Sequence, residues 1–258
     1  MNAPTDLPFM RVAAALDAYR RNLASAARWA DPSWSAALLG ADAVQLESWR
    51  MALERANSAA VESCSHALAD AAAVKLPAFA SLTHSALKPT PSGAAQPNAV
   101  LLDVLPVRHA LQVLRMRALS FRRAEARRLI DKRTRSQLSE WTGVGVDRLT
   151  QDAHLADAPD IARLAARAAM PPLTALDAGT LAVEGCALLL RDLGHVNGAN
   201  GVSDSARVPF PLLRLALPRV LPTPAWLASV PDSIDAAGSA RLFARLSDLL
   251  PEFAWLFG

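Results

Sequence analysis

The chain has 258 residues, 52% of them hydrophobic, and 27 Lys/Arg against 24 Asp/Glu leave a net charge of +3. This excludes a highly charged disordered chain and allows one large domain or two small ones around a substantial core. Abundant alanine, a single tyrosine and sparse β-branched residues argue against a large sheet and for helices.

The first helix is predicted from about Pro8 to Arg28, where Phe9, Val12, Leu16, Tyr19 and Leu23 share one face. Asp31 then caps a helix that begins at Pro32. A second long stretch, about Ala41 to Val74, carries Leu46, Trp49 and Leu53 and then mostly alanine. Residues Lys88 to Asn98, KPTPSGAAQPN, read as a linker or loop. It separates an N-terminal helical part, 1–87, from a central and C-terminal part, 99–258, with both read as one structural unit.

An arginine-rich segment runs from Pro106 to Trp141. Val107, Leu111, Leu114, Ala118 and Phe121 form its apolar seam, with Leu129 close to the same stripe. Arg108, Arg115 and Arg122 flank the seam on one side, Arg117 and Arg128 on the other. The segment is long for one helix, and a break is expected near Lys132–Thr134. Gly143 and Gly145 end it. Short helices follow at Pro159–Ala169 and Gly179–Leu193, separated by Met170-Pro171-Pro172, and Gly194–Gly201 reads as a turn or loop. Six prolines between Val208 and Pro231 suit packed loops and short helices, not one long element. A last helix, about Ile234 to Leu250, places Leu242, Leu246 and Leu249 on one face. The apolar tail Phe253-Ala254-Trp255-Leu256-Phe257-Gly258 belongs either to the core or to a partner surface. Trp29, Trp34, Trp49 and Trp226 are read as core anchors whose indole N–H groups need acceptors.

No pattern points to catalysis. His66, His84, His109, His154 and His195 show no i, i+4 metal-site pairing, and the chain lacks CxxC, a phosphate loop and a G-x-S-x-G elbow. The chain is read as a non-enzyme that carries no metal or cofactor. A dispersed active site would need a polar pocket gathering His109, Glu125 and His154. Cys64 and Cys186 are too few and too far apart for a disulfide framework and are read as reduced thiols. The N-terminus has no basic and apolar signal pattern, and apolar runs stop well short of the roughly 20 residues of a membrane span, so a cytoplasmic location is expected.

Charge is unevenly distributed. Ten Lys/Arg between Arg108 and Arg135 face only Glu125 and Asp131, a net +8, which leaves −5 for the remainder of a chain whose total is +3. The segment has three readings: arginine stems covering the edge of a core stripe, a face for docking an acidic protein, or a nucleic-acid site. Nucleic acid is disfavoured, because the arginines lie on both sides of the seam and Phe121 is the sole interleaved aromatic. The docking reading assigns partner binding to Arg115, Arg117, Arg122, Arg123, Arg127 and Arg128. Glu125 falls on the seam, with Arg122 and Arg128 three residues to either side, and is expected to organise them in a partly buried network.

Two stretches, and more weakly a third pattern, resemble a known family. Asp31-Pro32-Ser33-Trp34 resembles the N-terminal "HPSW" signature of the type III secretion sorting-platform accessory proteins, the SctK/YscK family with its Hrp-type branch. The block from Leu105-Pro106 through Leu111, Leu114, Arg115, Arg117, Ala118, Phe121, Arg122, Arg123, Ala124, Glu125, Arg127, Arg128, Leu129, Ile130, Asp131 and Arg133 is similar to that family's arginine-rich centre. Gly185-Cys186-Ala187-Leu188-Leu189-Leu190, Leu213-Arg214-Leu215 and Pro218 resemble its weaker C-terminal pattern. Asp31, where the family has histidine, and the stretch Lys88–Asn98 depart from it. The resemblance implies a cytoplasmic, non-enzymatic adaptor without cofactor. Its implied partners are the cytoplasmic domain of the inner-membrane ring protein and the C-ring-like sorting-platform protein, and its contact with the membrane runs through them. Trp34 and Glu125 are the residues expected to hold the structure. The fold class expected is mainly α, a compact multi-helix domain with an irregular proline-rich C-terminal third.

Overall fold

A computed structural model describes residues 8–89, 95–150, 170–194, 208–231 and 234–258. The helix expected at Pro159–Ala169, nearly all of the Gly194–Gly201 loop, and His154 and His195 lie outside them. The fold is mainly α, as expected. Its residues group into two compact units, one of Met1–Ala110, Asp204–Leu221 and Leu246–Gly258, the other of Leu111–Ser203 and Pro222–Arg245.

Unit 1 begins with α1 (Pro8–Ala24) and α2 (Ala26–Trp29). The expected single helix is interrupted at Ser25, whose Oγ turns back to the carbonyls of Arg21 and Asn22 and accepts the indole N–H of Trp29 at 3.2 Å. Such back-bonding competes with the helix ladder. Val12 and Tyr19 are buried as the stripe predicts, whereas Phe9 is exposed and meets Phe79 at 6.1 Å. The helix α3 (Pro32–Leu39) starts as expected, with Pro32 in its first turn and the Asp31 carboxylate accepting from Ser33 N at 2.9 Å.

The stretch expected as one helix over Ala41–Val74 is two, α4 (Ala43–Arg55) and α5 (Ser58–Ala71). Asn57 makes the break: its backbone is extended and its side chain accepts from Ala60 N at 2.8 Å, a cap for a new helix. Next come α6 (Phe79–Thr83) and two short antiparallel strands, β1 (Leu87–Pro89) and β2 (Ala95–Pro97), with Lys88 opposite Gln96. The flanks of the stretch expected as linker are thus a paired ribbon within unit 1.

Unit 1 is closed by its later segments. Residues 213–216 form a 3-10 turn, and α13 (Leu246–Leu249) and α14 (Ala254–Phe257) complete it. Leu256 and Phe257 of the apolar tail are buried while Trp255 is partly exposed. Arg11 holds the tail by donating to the carbonyls of Leu256 at 2.6 Å and Gly258 at 3.1 Å. Asn22 spends its amide on the carbonyls of Asp103 and Leu105, at 2.9 and 2.7 Å.

In unit 2 the arginine-rich segment is α7 (Val107–Phe121), which starts in unit 1, then α8 (Arg123–Arg128) and α9 (Lys132–Thr142), followed by α10 (Val146–Thr150). The second break falls at Leu129–Asp131, just ahead of its expected place, because Asp131 caps α9 by accepting from Thr134 N at 2.8 Å. The helix α11 (Ala178–Asp192) is buried along nearly its whole length. Gly185 lets it lie against α7: a Cβ there would sit 1.8 Å from the carbonyl oxygen of Leu114. The helix expected from Ile234 is shorter, α12 (Gly238–Ala244). Asp235 holds a left-handed φ of 58°, which L-residues adopt at a cost and which an aspartate tolerates better than most. Cys64 and Cys186 form no disulfide among the described residues.

Two outcomes are expected from these contacts. Gly185→Ala loses at least about 3 kcal/mol of stability in chemical denaturation, because a backbone carbonyl blocks the new methyl group. Asp103 gives a pH dependence. It is buried in unit 1, and its oxygens accept from Leu213 N at 2.7 Å and Leu212 N at 3.2 Å. Burial raises its pKa to about 7, the two N–H donors opposing only part of the shift. Between the unfolded value near 4 and about 7, the folded state retains a proton that the unfolded state releases. This contribution to stability is fully present below about pH 4 and is lost as pH rises through about 7. Unfolding midpoints compared across pH 4–8 should show this component in the wild type and its absence in Asp103→Asn.

Candidate functional site

The arginines of the central segment divide by burial. Arg117, Arg122 and Arg123 are buried, Arg115 is half-buried, and Arg127 and Arg128 are exposed. Arg117 and Arg122 therefore offer no guanidinium to a partner in this fold. The reason is phase: α7 turns them toward α11 and α12, where carboxylates meet them.

Arg117 donates through Nη2 to Asp192 Oδ2 at 2.8 Å, through Nη1 to Asp235 Oδ2 at 2.9 Å, and through Nε to Ser239 Oγ at 2.8 Å. Asp192 Oδ2 also accepts the Ser239 backbone N–H at 3.0 Å and its hydroxyl at 2.6 Å. Arg191 reaches the other Asp192 oxygen at 3.2 Å and the Ile234 carbonyl at 3.0 Å. Arg241 pairs with Asp235. Gly238 is needed beside this cluster, since a Cβ there would meet Arg117 Nη2 at 2.4 Å.

Arg122 forms the second centre. Its Nε and Nη2 grip Glu184 at 2.9 and 2.7 Å, the two-pronged geometry in which arginine binds a carboxylate most strongly. Its Nη1 reaches the Pro171 carbonyl at 2.8 Å and Glu125 at 3.2 Å. Trp226 donates its indole N–H to Glu184 at 3.2 Å and stacks on Phe121, centroids 5.5 Å apart. Arg122 lies 5.6 Å from the Trp226 ring and Arg191 5.9 Å from the Phe121 ring, cation–π range in both cases.

Glu125 pairs with Arg122 and accepts from Leu173 N at 2.6 Å, tying the segment after Pro171 to α8. Arg128 is exposed and makes no ion pair with it among the described residues. The partners that sequence reasoning missed are Glu184, Asp192 and Asp235. Glu184 carried a readable signal: it is the one acid in the apolar run from Leu181 to Leu190.

Arg115 donates to the carbonyls of Ala178 at 2.9 Å and Trp141 at 3.1 Å, and burial lowers its pKa. Arg127 donates to the Thr150 carbonyl at 3.0 Å. After α8 the chain turns through Ile130, which is 93% exposed, between Arg127 and Arg128 on one side and exposed Lys132 and Arg133 on the other.

In unit 1, Trp34 is buried. Its indole N–H donates to the Leu217 carbonyl at 2.9 Å, and buried Arg214 lies 5.4 Å from its ring. Asp31 N donates to the Leu215 carbonyl at 2.7 Å, and Ser33 Oγ accepts from Arg219 N at 2.8 Å. His109 packs edge-on against Phe253, centroids 4.9 Å apart, with Glu252 at 3.8 Å. Glu125 is engaged elsewhere, by Arg122 and Leu173, and His154 lies outside the described residues. Among the described residues no group of three or more His, Cys, Asp and Glu could hold a metal, and no helix is long and apolar enough to cross a membrane.

These features define a mainly α protein in which Arg117 and Arg122 are held by internal ion pairs and a basic turn follows α8 at the surface. The family model described as bacterial type III secretion protein (HrpB4) matches residues 8–252, and the chain belongs to that family. No curated protein and no solved structure matches the chain.

The two acids that hold Arg122 are expected to differ in weight. Glu184→Ala strands a buried guanidinium and should cost about 3–5 kcal/mol. Glu125, whose side chain is 35% exposed against 4% for Glu184, should cost about 1 kcal/mol as Glu125→Ala. Urea denaturation of the two variants measures the contrast.

Proposed function

We propose that this type III secretion protein is a non-enzymatic cytoplasmic adaptor that links the inner-membrane ring to the sorting platform. Its partners are then the cytoplasmic domain of the ring protein and the C-ring-like protein. Family membership over residues 8–252 supports the system, and the resemblance of the Asp31–Trp34 and central arginine motifs supports the place within it.

The observation that carries the docking role is the turn after α8. Ile130 stands almost fully in solvent, framed by Arg127, Arg128, Lys132 and Arg133. An exposed isoleucine with a basic rim suits an acidic protein surface carrying an apolar depression. The buried arginines are the scaffold that presents this turn, and Arg115 belongs with them because its donors are spent on backbone carbonyls.

The test is binding of the purified protein to each of the two partners and, separately, to duplex DNA across a salt series. Arg128→Glu combined with Ile130→Ser should weaken capture of at least one partner by roughly tenfold or more with an unchanged unfolding midpoint. Salt-steep DNA binding with neither protein partner bound overturns the adaptor reading in favour of nucleic acid.

A further inference from the structure

Among the described residues of unit 2, Arg117, Arg122, Arg191 and Arg241 pair with Asp192, Asp235, Glu125 and Glu184. Arg123 stands outside this set. It is 5% exposed, its Nε is buried without a hydrogen-bond partner, and it makes no ion pair among the described residues. An enclosed cation without a counter-charge is costly, and burial is tolerated when a partner arrives.

Arg123 lines a small recess with Ser120, Asp235, Arg241 and Arg245 over apolar Leu149 and Leu242. Asp235 does not neutralise Arg123, because its two oxygens already serve Arg117 and Arg241. Arg245 donates to the Arg148 carbonyl at 2.7 Å. Arg123, which has no counter-charge among the described residues, makes the lining positive, with a hydroxyl at its edge. Its free volume is about 20 Å³, enough to admit one oxygen of an anion seated at its open mouth and not a nucleotide.

We propose that this recess is an oxyanion site that takes the carboxylate of an acidic side chain, with Arg123 as its principal ligand. That the side chain comes from a partner polypeptide rests on the adaptor reading above. The guanidinium fork matches a carboxylate in shape. The nearby Asp235 charge repels a phosphate dianion more than a carboxylate monoanion.

The full chain is titrated with sodium acetate against sodium chloride at matched ionic strength, and in parallel with inorganic phosphate. The readouts are thermal unfolding and the NMR signal of the Arg123 Nε–H, assigned by its loss in Arg123→Met. At an acetate concentration about fivefold above the dissociation constant, the midpoint should rise by about 2–4 °C, and the Nε–H signal should move saturably. Arg123→Met should lose the acetate response and, without the stranded charge, be at least as stable as the unliganded wild type. Absence of saturation, an equal response in Arg123→Met, or a markedly less stable Arg123→Met overturns the site. Tighter binding of phosphate than of acetate overturns the carboxylate assignment. An intact acetate response without partner binding overturns the adaptor reading and not the recess. The reverse result overturns the recess alone.

Discussion

A guanidinium taken out of water must find its counter-charge inside the protein, and unit 2 is arranged around that requirement. Arg117 on α7 and Arg122 just past its end lie five residues apart, and both are buried. Each dictates where other elements lie. Glu184 must face Arg122 closely enough for a two-pronged grip, which brings α11 against α7 and leaves no space for a side chain at Gly185. Asp192 and Asp235 must reach Arg117 together, so the turn before α12 takes a left-handed residue and α12 begins on a glycine. Such pairs add little net stability compared with an apolar core of equal volume, but they penalise any arrangement that separates them.

Local sequence made much of the helical architecture legible, and the errors have local causes. Caps at Asn57 and Asp131 end helices that periodicity alone would continue, and both residues are common cap types. Ser25 and Asp235 break predicted helices through their own side-chain and backbone geometry. The site was less legible. Charge counting turned Arg117 and Arg122 outward, because the carboxylates that hold them, Asp235 and Glu184, lie 118 and 62 residues away and no periodicity links such distances. Of the readings of this segment, the arginine-covered core edge describes Arg117 and Arg122.

The motif Asp31-Pro32-Ser33-Trp34 gains a physical meaning in unit 1. Asp31 caps α3, Asp31 N and the Trp34 indole hold the carbonyls of Leu215 and Leu217, and Ser33 receives Arg219 N. The short Leu213-Arg214-Leu215 and Pro218 pattern is the other half of the same joint, with Arg214 over Trp34. Two stretches that resemble the family separately in sequence are one packing unit in space. Histidine and aspartate can both serve the position of Asp31 only insofar as each accepts a backbone N–H, which a neutral imidazole nitrogen does as well as a carboxylate.

The tie between Arg11 and the carbonyls of Leu256 and Gly258 spans 245 and 247 residues. During synthesis at about 5–20 residues per second, α1 leaves the ribosome roughly 10–50 s before these acceptors exist. Unit 2 is translated entirely within that interval, its carboxylates following its arginines by far shorter delays. The inserted unit can therefore complete itself before this tie closes, while α1 already rests on α5 and α6, and Tyr19 donates to the Lys75 carbonyl between them.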